Sequence, residues 1–150
     1  MMVKFKYILF LLFDLPSAFF CGVRLTHLDN NNCKVIIKHS WFNKNPFKSI
    51  FWAAQGMAAE LSTGALLKDK IKHSKLNVSM LVVENNSSFY KKATGKISFS
   101  CSQGSEIDNI INLLTSADTP QTITLKSIGV DNSNDKVSEF CFKWSLKVRN

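Results

Sequence analysis

Ile50-Phe-Trp-Ala-Ala-Gln-Gly-Met-Ala-Ala-Glu-Leu-Ser-Thr-Gly-Ala-Leu-Leu67 carries one charge in eighteen residues, Glu60. Ala and Leu dominate, which favours helix over strand. A helix apolar nearly all round must be buried on most of its sides. Upstream, Asn45-Pro46 reads as its start, with Asn as the N-cap and Pro at the first helical position. Downstream, Lys68-Asp-Lys70 ends the apolar stretch in solvent.

Such a helix needs a cover, and the flanking sequence supplies strands. Val23, Leu25 and His27 alternate with Arg24, Thr26 and Leu28, and Asp29-Asn-Asn-Asn32 offers turn residues. Cys33, Val35, Ile37, His39 and Trp41 then share one face, completing a hairpin. After the long helix, Leu76, Val78, Met80 and Val82 alternate with Asn77 and Ser79 before a turn at Asn85-Asn86. Ile97, Phe99 and Cys101 form the next strand. Ile107, Ile110, Ile111 and Leu114 form a helical stripe behind a Ser105-x-x-Asp108 capping box. Ile123 and Leu125, then Phe140, Phe142, Trp144, Leu146 and Val148, mark two further strands. Half-polar strands imply an antiparallel sheet with one face covered. The expectation is an α+β fold: a curved antiparallel β-sheet wrapped around a long central helix, with an N-terminal helix.

Lys4 and Lys6 precede Tyr7-Ile-Leu-Phe-Leu-Leu-Phe13, but Asp14 stops this run and Pro16 follows. Ala18-Phe-Phe20 lacks the small residue a signal peptidase requires before Cys21. The segment is also too short to span a bilayer about 30 Å thick. Residues 1–20 are read as a hydrophobic helix packed on or beside a single domain of residues 21–150. A peripheral membrane contact through residues 1–20 is the alternative.

The 150 residues carry a net charge of +8, and it is unevenly placed. Residues 1–75 hold eleven Lys/Arg against four acids, and residues 76–150 hold eight against seven. The lysines are scattered singly, which argues against nucleic acid as a partner and leaves phosphate-bearing small molecules or lipid surfaces. Cys21, Cys33, Cys101 and Cys141 show no zinc-ligand spacing, so no metal is expected. They read as free thiols in a reducing, cytoplasmic setting.

At 100° per residue, Glu60 shares its helix face with Ala53, Gly56, Met57, Thr63 and Gly64. Small neighbours around a buried carboxylate leave room for a ligand, and burial gives the carboxyl reason for a raised pKa. Both suit a general base that activates water. The competing reading has Glu60 accepting structural hydrogen bonds from Thr63, Ser79 or backbone, with the small residues serving only helix–sheet packing. Lys91 and Lys92, beside Phe89 and Tyr90, are either solvated or positioned to hold a phosphate.

The order of elements, from about Val23 to Arg149, resembles the hotdog fold of acyl-CoA thioesterases and acyl-thioester dehydratases. Asn45 to Gly64, Phe89-Tyr-Lys-Lys-Ala-Thr-Gly95 and the closing aromatic strand resemble an uncharacterised bacterial branch of that superfamily, a domain of unknown function. In its characterised members an Asn precedes the helix, His-Gly-Gly opens it, and an acid follows nine residues after the His. Asn45 and Glu60 match in type and spacing. Phe51, Trp52 and Ala53 stand where His-Gly-Gly would be. The resemblance implies an acyl-thioester hydrolase, with Glu60 and Asn45 catalytic and Ala53, Gly56, Thr63, Lys91 and Lys92 contacting a coenzyme A thioester. It implies no separate cofactor, and a site between the subunits of a homodimer or higher oligomer. The alternatives are a non-catalytic acyl or acyl-CoA-binding dimer and a membrane-surface protein.

Overall fold

A computed structural model describes residues 2–114 and 119–149. The elements run α1 (Met2–Asp14), α2 (Pro16–Phe20), β1 (Arg24–Leu28), β2 (Cys33–Lys38), α3 (Trp52–Ser74), β3 (Val78–Phe89), β4 (Lys96–Cys101), α4 (Gly104–Leu114), β5 (Gln121–Val130) and β6 (Lys136–Val148). One six-stranded sheet, in the order β1-β2-β4-β5-β6-β3 and antiparallel throughout, carries α3 against one face.

Period-two alternation decides which side chains meet that helix. Cys33, Val35 and Ile37 of β2, Ile97, Phe99 and Cys101 of β4, and Phe140, Phe142, Trp144 and Leu146 of β6 all turn inward and are buried. Ala54, Ala58, Ala59, Leu61, Leu66, Leu67 and Ile71 of α3 meet them in one core. Buried hydrogen bonds then set the rotation of α3. Ser138 Oγ donates to Gln55 Oε1 at 2.9 Å, while Gln55 Nε2 donates to the Ile50 carbonyl at 3.1 Å. The Ser62 and Ser127 hydroxyls lie 2.7 Å apart. Trp144 Nε1 donates to Thr63 Oγ1 at 3.2 Å.

The long helix starts later than Asn45-Pro46 suggested. Asn45 Oδ1 accepts from the Phe47 and Ser49 amides at 3.0 and 3.2 Å, capping a tight turn. Within that turn Lys48 takes φ 60°, which no α-helix accommodates. A bridge between Lys44 and Ile50 closes the turn, and Phe51 is the residue before the helix. At the other end, α3 does not stop at Lys68-Asp-Lys70. It runs to Ser74 and ends on a left-handed Lys75.

Other local expectations give way to pairing. Asn85-Asn86 does not turn the chain, because β3 continues through them opposite Phe142 and Cys141 of β6. A register shift between Leu25 and His27 in β1 leaves His27 outside, 2.7 Å from Asp29, while Leu25 and Leu28 pack on the core. β2 ends at Lys38, and Trp41 sits exposed in the loop beyond it. Ser105 lies inside α4 and not before it, and Asp108 takes an ion pair from Lys70 at 2.6 Å. Pro16 divides the N-terminal segment into two helices. α1 nevertheless joins the domain: Leu11 is buried, and Phe10 and Leu15 pack on the core, with Ile8, Leu9 and Phe13 left outside.

Gly129 sits where β5 crosses Phe99, and an added Cβ there would lie 2.5 Å from Phe99 Cε1. Gly129→Ala is expected to destabilise the fold by about 1–3 kcal/mol through this overlap. Urea unfolding measures it, and an unchanged midpoint would show that Phe99 yields freely.

Candidate active site

Residues four apart on a helix form one ridge, and on α3 that ridge reads Glu60, Gly64, Lys68, Lys72. It lines a cavity of about 460 Å³. Lys6, Tyr7, Phe10 and Leu15 of the N-terminal segment close one side, and Met80 of β3 and Trp144 of β6 close another. The volume is in the range of small-molecule sites, and the walls are mostly apolar with a few polar groups.

Glu60 is half-buried in this wall, and burial pushes its carboxyl pKa above the ordinary value. The structural partners suggested for it are engaged elsewhere. Thr63 Oγ1 donates to the Glu60 backbone carbonyl at 2.9 Å, not to the carboxylate. Ser79 Oγ accepts from Arg149 Nη2 at 3.0 Å. Among the described residues no hydrogen bond or ion pair reaches the Glu60 carboxylate. A desolvated carboxylate without a structural partner, facing a cavity, is free to take a proton from a bound water.

The small residues beside it divide between two duties. A Cβ at Gly56 would lie 3.5 Å from Phe140 Cε1, and one at Gly64 would lie 3.2 Å from the Trp144 ring. A Cβ at Gly56 would make an ordinary contact, whereas Gly64 lets the Trp144 ring approach the helix and also lines the cavity. Ala53, Gly56 and Thr63 line neither cavity described here. Thr63 is committed to Glu60 and Trp144.

A second cavity, of about 440 Å³, lies at the start of α3 and takes in Asn45, Trp52, Gln55, Phe89, Lys91 and Lys92. Trp52 and Glu60 are eight residues apart, roughly 12 Å along the helix axis. Within one chain, Asn45, Lys91 and Lys92 are therefore brought together with one another and not with Glu60. Asn45 holds its own turn. Lys91 Nζ is paired with Asp131 at 2.6 Å and Asp135 at 2.7 Å. Lys92 Nζ points at the Phe47 carbonyl at 3.5 Å.

The residues that sequence reasoning missed are Tyr7, Phe10, Met80, Trp144 and the lysines of the ridge. The available signal was the i, i+4 series itself, which continues from Glu60 through Lys68 to Lys72. Cys33 and Cys101 face each other across β2 and β4, both buried and unbridged. Burial pushes their thiols up to about 12 and about 11, so they stay protonated at neutral pH and make poor nucleophiles. Among the described residues no cluster of three His, Cys, Asp or Glu side chains could hold a metal, and no helix is long and apolar enough to cross a membrane.

A raised carboxyl pKa has a defined effect on stability. The ionised group is penalised by burial, so stability is lost as pH rises from the unfolded value, about 4.3, through the raised folded value. Below that window the penalty is absent. Glu60→Gln is therefore expected to unfold at higher urea than the parent at pH 8, and to match it near pH 4. A difference that does not change with pH would show that the carboxyl is not desolvated.

Comparison with solved structures places this architecture among known folds. A Pseudomonas aeruginosa protein of unknown function, described as a probable thioesterase, superposes with a TM-score of 0.83 at 18% identity, over 97% of this chain and 96% of that one. A Chlorobaculum tepidum protein of unknown function gives 0.83 at 16% identity, over 99% and 95%. A variant of a Staphylococcus aureus thioesterase enzyme gives 0.66 at 11% identity, over 85% and 94%. No curated protein matches the chain. The domain of unknown function DUF4442 matches residues 8–146, and the chain belongs to that family.

Proposed function

We propose that the protein is an acyl-thioester hydrolase of the hotdog type, acting on acyl-CoA or a related thioester, with Glu60 as the general base. The observation that carries this reading is the partly buried Glu60 carboxylate, without a described partner, in the wall of a mostly apolar cavity. An antiparallel sheet carried on a long helix supports a hotdog reading, and two structural neighbours described as thioesterases favour the same chemistry.

In this mechanism the Glu60 carboxylate takes a proton from water, and the resulting hydroxide adds to the thioester carbonyl carbon. Collapse of the tetrahedral intermediate breaks the C–S bond. The thiolate leaves and recovers the proton from Glu60, giving a carboxylic acid and a thiol. In an alternative first step, Glu60 attacks the carbonyl carbon itself and expels the thiolate; water then hydrolyses the anhydride, restoring Glu60 and giving the acid, and the proton released goes to the thiolate. Backbone amides near Ala53 would hold the oxyanion. They lie seven residues from Glu60, roughly 10 Å along one helix, so a complete site joins the helix start of one subunit to the Glu60 cavity of another. Asn45, Lys91 and Lys92 then belong to the part of the site at the helix start.

The dimer this requires has a suitable surface. β3 is a twelve-residue edge strand, paired only with β6 among the described strands, and it leaves Leu81 63% and Val83 49% exposed. A long edge of this kind, apolar at Leu81 and Val83 and polar from Glu84 to Ser88, invites pairing with a second copy. A non-catalytic acyl-binding dimer is the second reading, and it is favoured by Phe51, Trp52 and Ala53 in place of His-Gly-Gly.

Hydrolysis of a panel of acyl-CoAs should fall by about a hundredfold or more in Glu60→Gln, the scale of a lost general base, with the fold retained by circular dichroism. Activity that survives the substitution would remove Glu60 from the mechanism. Tight acyl-CoA binding without turnover by the parent would select the binding module. Leu81→Lys is expected to shift the sedimentation coefficient from dimer toward monomer. A monomeric parent protein would refute the edge pairing.

A further inference from the structure

We infer that Lys68, Lys72 and Lys6 form an anion site for the phosphate end of a phosphopantetheine thioester, and that α1 is a built-in wall of that site. The inference rests on the hydrolase reading and goes beyond it, because it assigns the residues that hold the phosphate end of the substrate.

Four observations converge. First, Lys68 and Lys72 continue the ridge that begins at Glu60, eight and twelve residues along α3. The helical rise puts them about 12 and 18 Å from it along the axis. This is comparable with the length of an extended pantetheine arm between its thioester sulfur and its phosphate. Second, all three lysines line the same cavity as Glu60, so one continuous surface connects the reacting end to the charged end. Third, the wall between them is apolar: Leu61 and Ala65 of α3, with Tyr7 and Phe10 of α1, suit the hydrocarbon part of an arm.

Fourth, the ammonium groups of Lys6, Lys68 and Lys72 have no carboxylate partner among the described residues, whereas neighbouring Lys70 is tied to Asp108 at 2.6 Å and Lys91 to Asp131 at 2.6 Å. Lys68 Nζ instead lies 4.5 Å from the Phe10 ring centroid, which ties the charged end of α3 to α1. Asp69, the other acid lining this cavity, has His73 Nδ1 3.4 Å away. Three ammonium groups on two helices, lining the same mostly apolar cavity, form a site for a dianionic or more highly charged head group.

Coenzyme A and the prosthetic arm of an acyl carrier protein both present this chemistry. The test compares dodecanoyl-CoA, dodecanoyl-acyl carrier protein and the phosphate-free dodecanoyl N-acetylcysteamine thioester on the parent and on Lys68→Glu/Lys72→Glu. The double variant should raise KM for the phosphate-bearing thioesters about tenfold or more. It should leave kcat within about twofold and leave the phosphate-free thioester unaffected. A larger KM shift for the carrier protein than for coenzyme A names the protein-bound arm as the substrate, and the reverse names the free coenzyme. Equal shifts for all three thioesters, or none, would overturn the anion site while the hydrolase reading stands. Calorimetric binding of dodecanoyl-CoA to Glu60→Gln, with and without the two lysine substitutions, keeps the tests separate. A lysine-dependent affinity in a parent that does not turn over would sustain the site and end the hydrolase reading. Tyr7→Ala/Phe10→Ala should weaken binding of all three thioesters alike, and unchanged binding would remove α1 from the site.

Discussion

The way α3 is seated on the sheet is the constraint on which the rest of the molecule depends. An alanine-rich helix could rotate or slide against a hydrophobic face at little cost, since apolar burial is not directional. Gln55 with Ser138, Ser62 with Ser127, and Thr63 with Trp144 remove that freedom. Each pair is buried, so rotation of the helix would strand polar atoms at a penalty of about 1–3 kcal/mol apiece. Gly64 lets the Trp144 ring lie close to the helix at the same time. Packing density and hydrogen bonding thus select a single orientation.

That orientation determines which ridge is left for chemistry. With Gln55, Ser62 and Thr63 turned to the sheet, the Glu60-Gly64-Lys68-Lys72 ridge is carried to the side where α1 lies. α1 covers it incompletely. Leu11 and Phe10 join the core, but space of about 460 Å³ remains between the two helices and Trp144. The cavity therefore lies where α1, packed mainly on α2 and β1, leaves part of α3 uncovered. Glu60 occupies that gap, which is why it is desolvated without acquiring a structural partner.

The start of α3 presents a different surface. Asn45 holds a tight turn, the Lys44–Ile50 bridge closes it, and Trp41, Phe42, Phe47, Phe51 and Trp52 are left exposed around it. Two cavities on one helix, separated by its rise, fit the proposal of a site completed between subunits better than they fit a site within one chain. The unpaired β3 edge offers the geometry for such an assembly.

Much of this was readable from residue order alone. The sparse charge of Ile50 to Leu67 demanded a buried helix, and period-two alternation in Cys33–Trp41, Ile97–Cys101 and Phe140–Val148 demanded strands with one covered face. Those patterns are local consequences of helical and strand periods, so they survive without tertiary knowledge. Glu60 was visible for the same reason: one charge in eighteen residues stands out. What failed were the places where local signals compete with distant partners. Asn45-Pro46 carries a helix-capping signature, yet its side chain caps a turn because Ile50 must reach Ala93 and Phe51 must reach Asn43. Asn85-Asn86 has turn chemistry, yet pairing with β6 holds it extended. Lys68 reads from the sequence as part of a solvated end to the apolar stretch, and only the approach of Lys6, Tyr7 and Phe10 made it and Lys72 part of a cavity. Sequence determined the elements and the solitary acid. The tertiary structure decided which residues share a space with it, because that depends on the approach of segments distant in the chain, which no local period encodes.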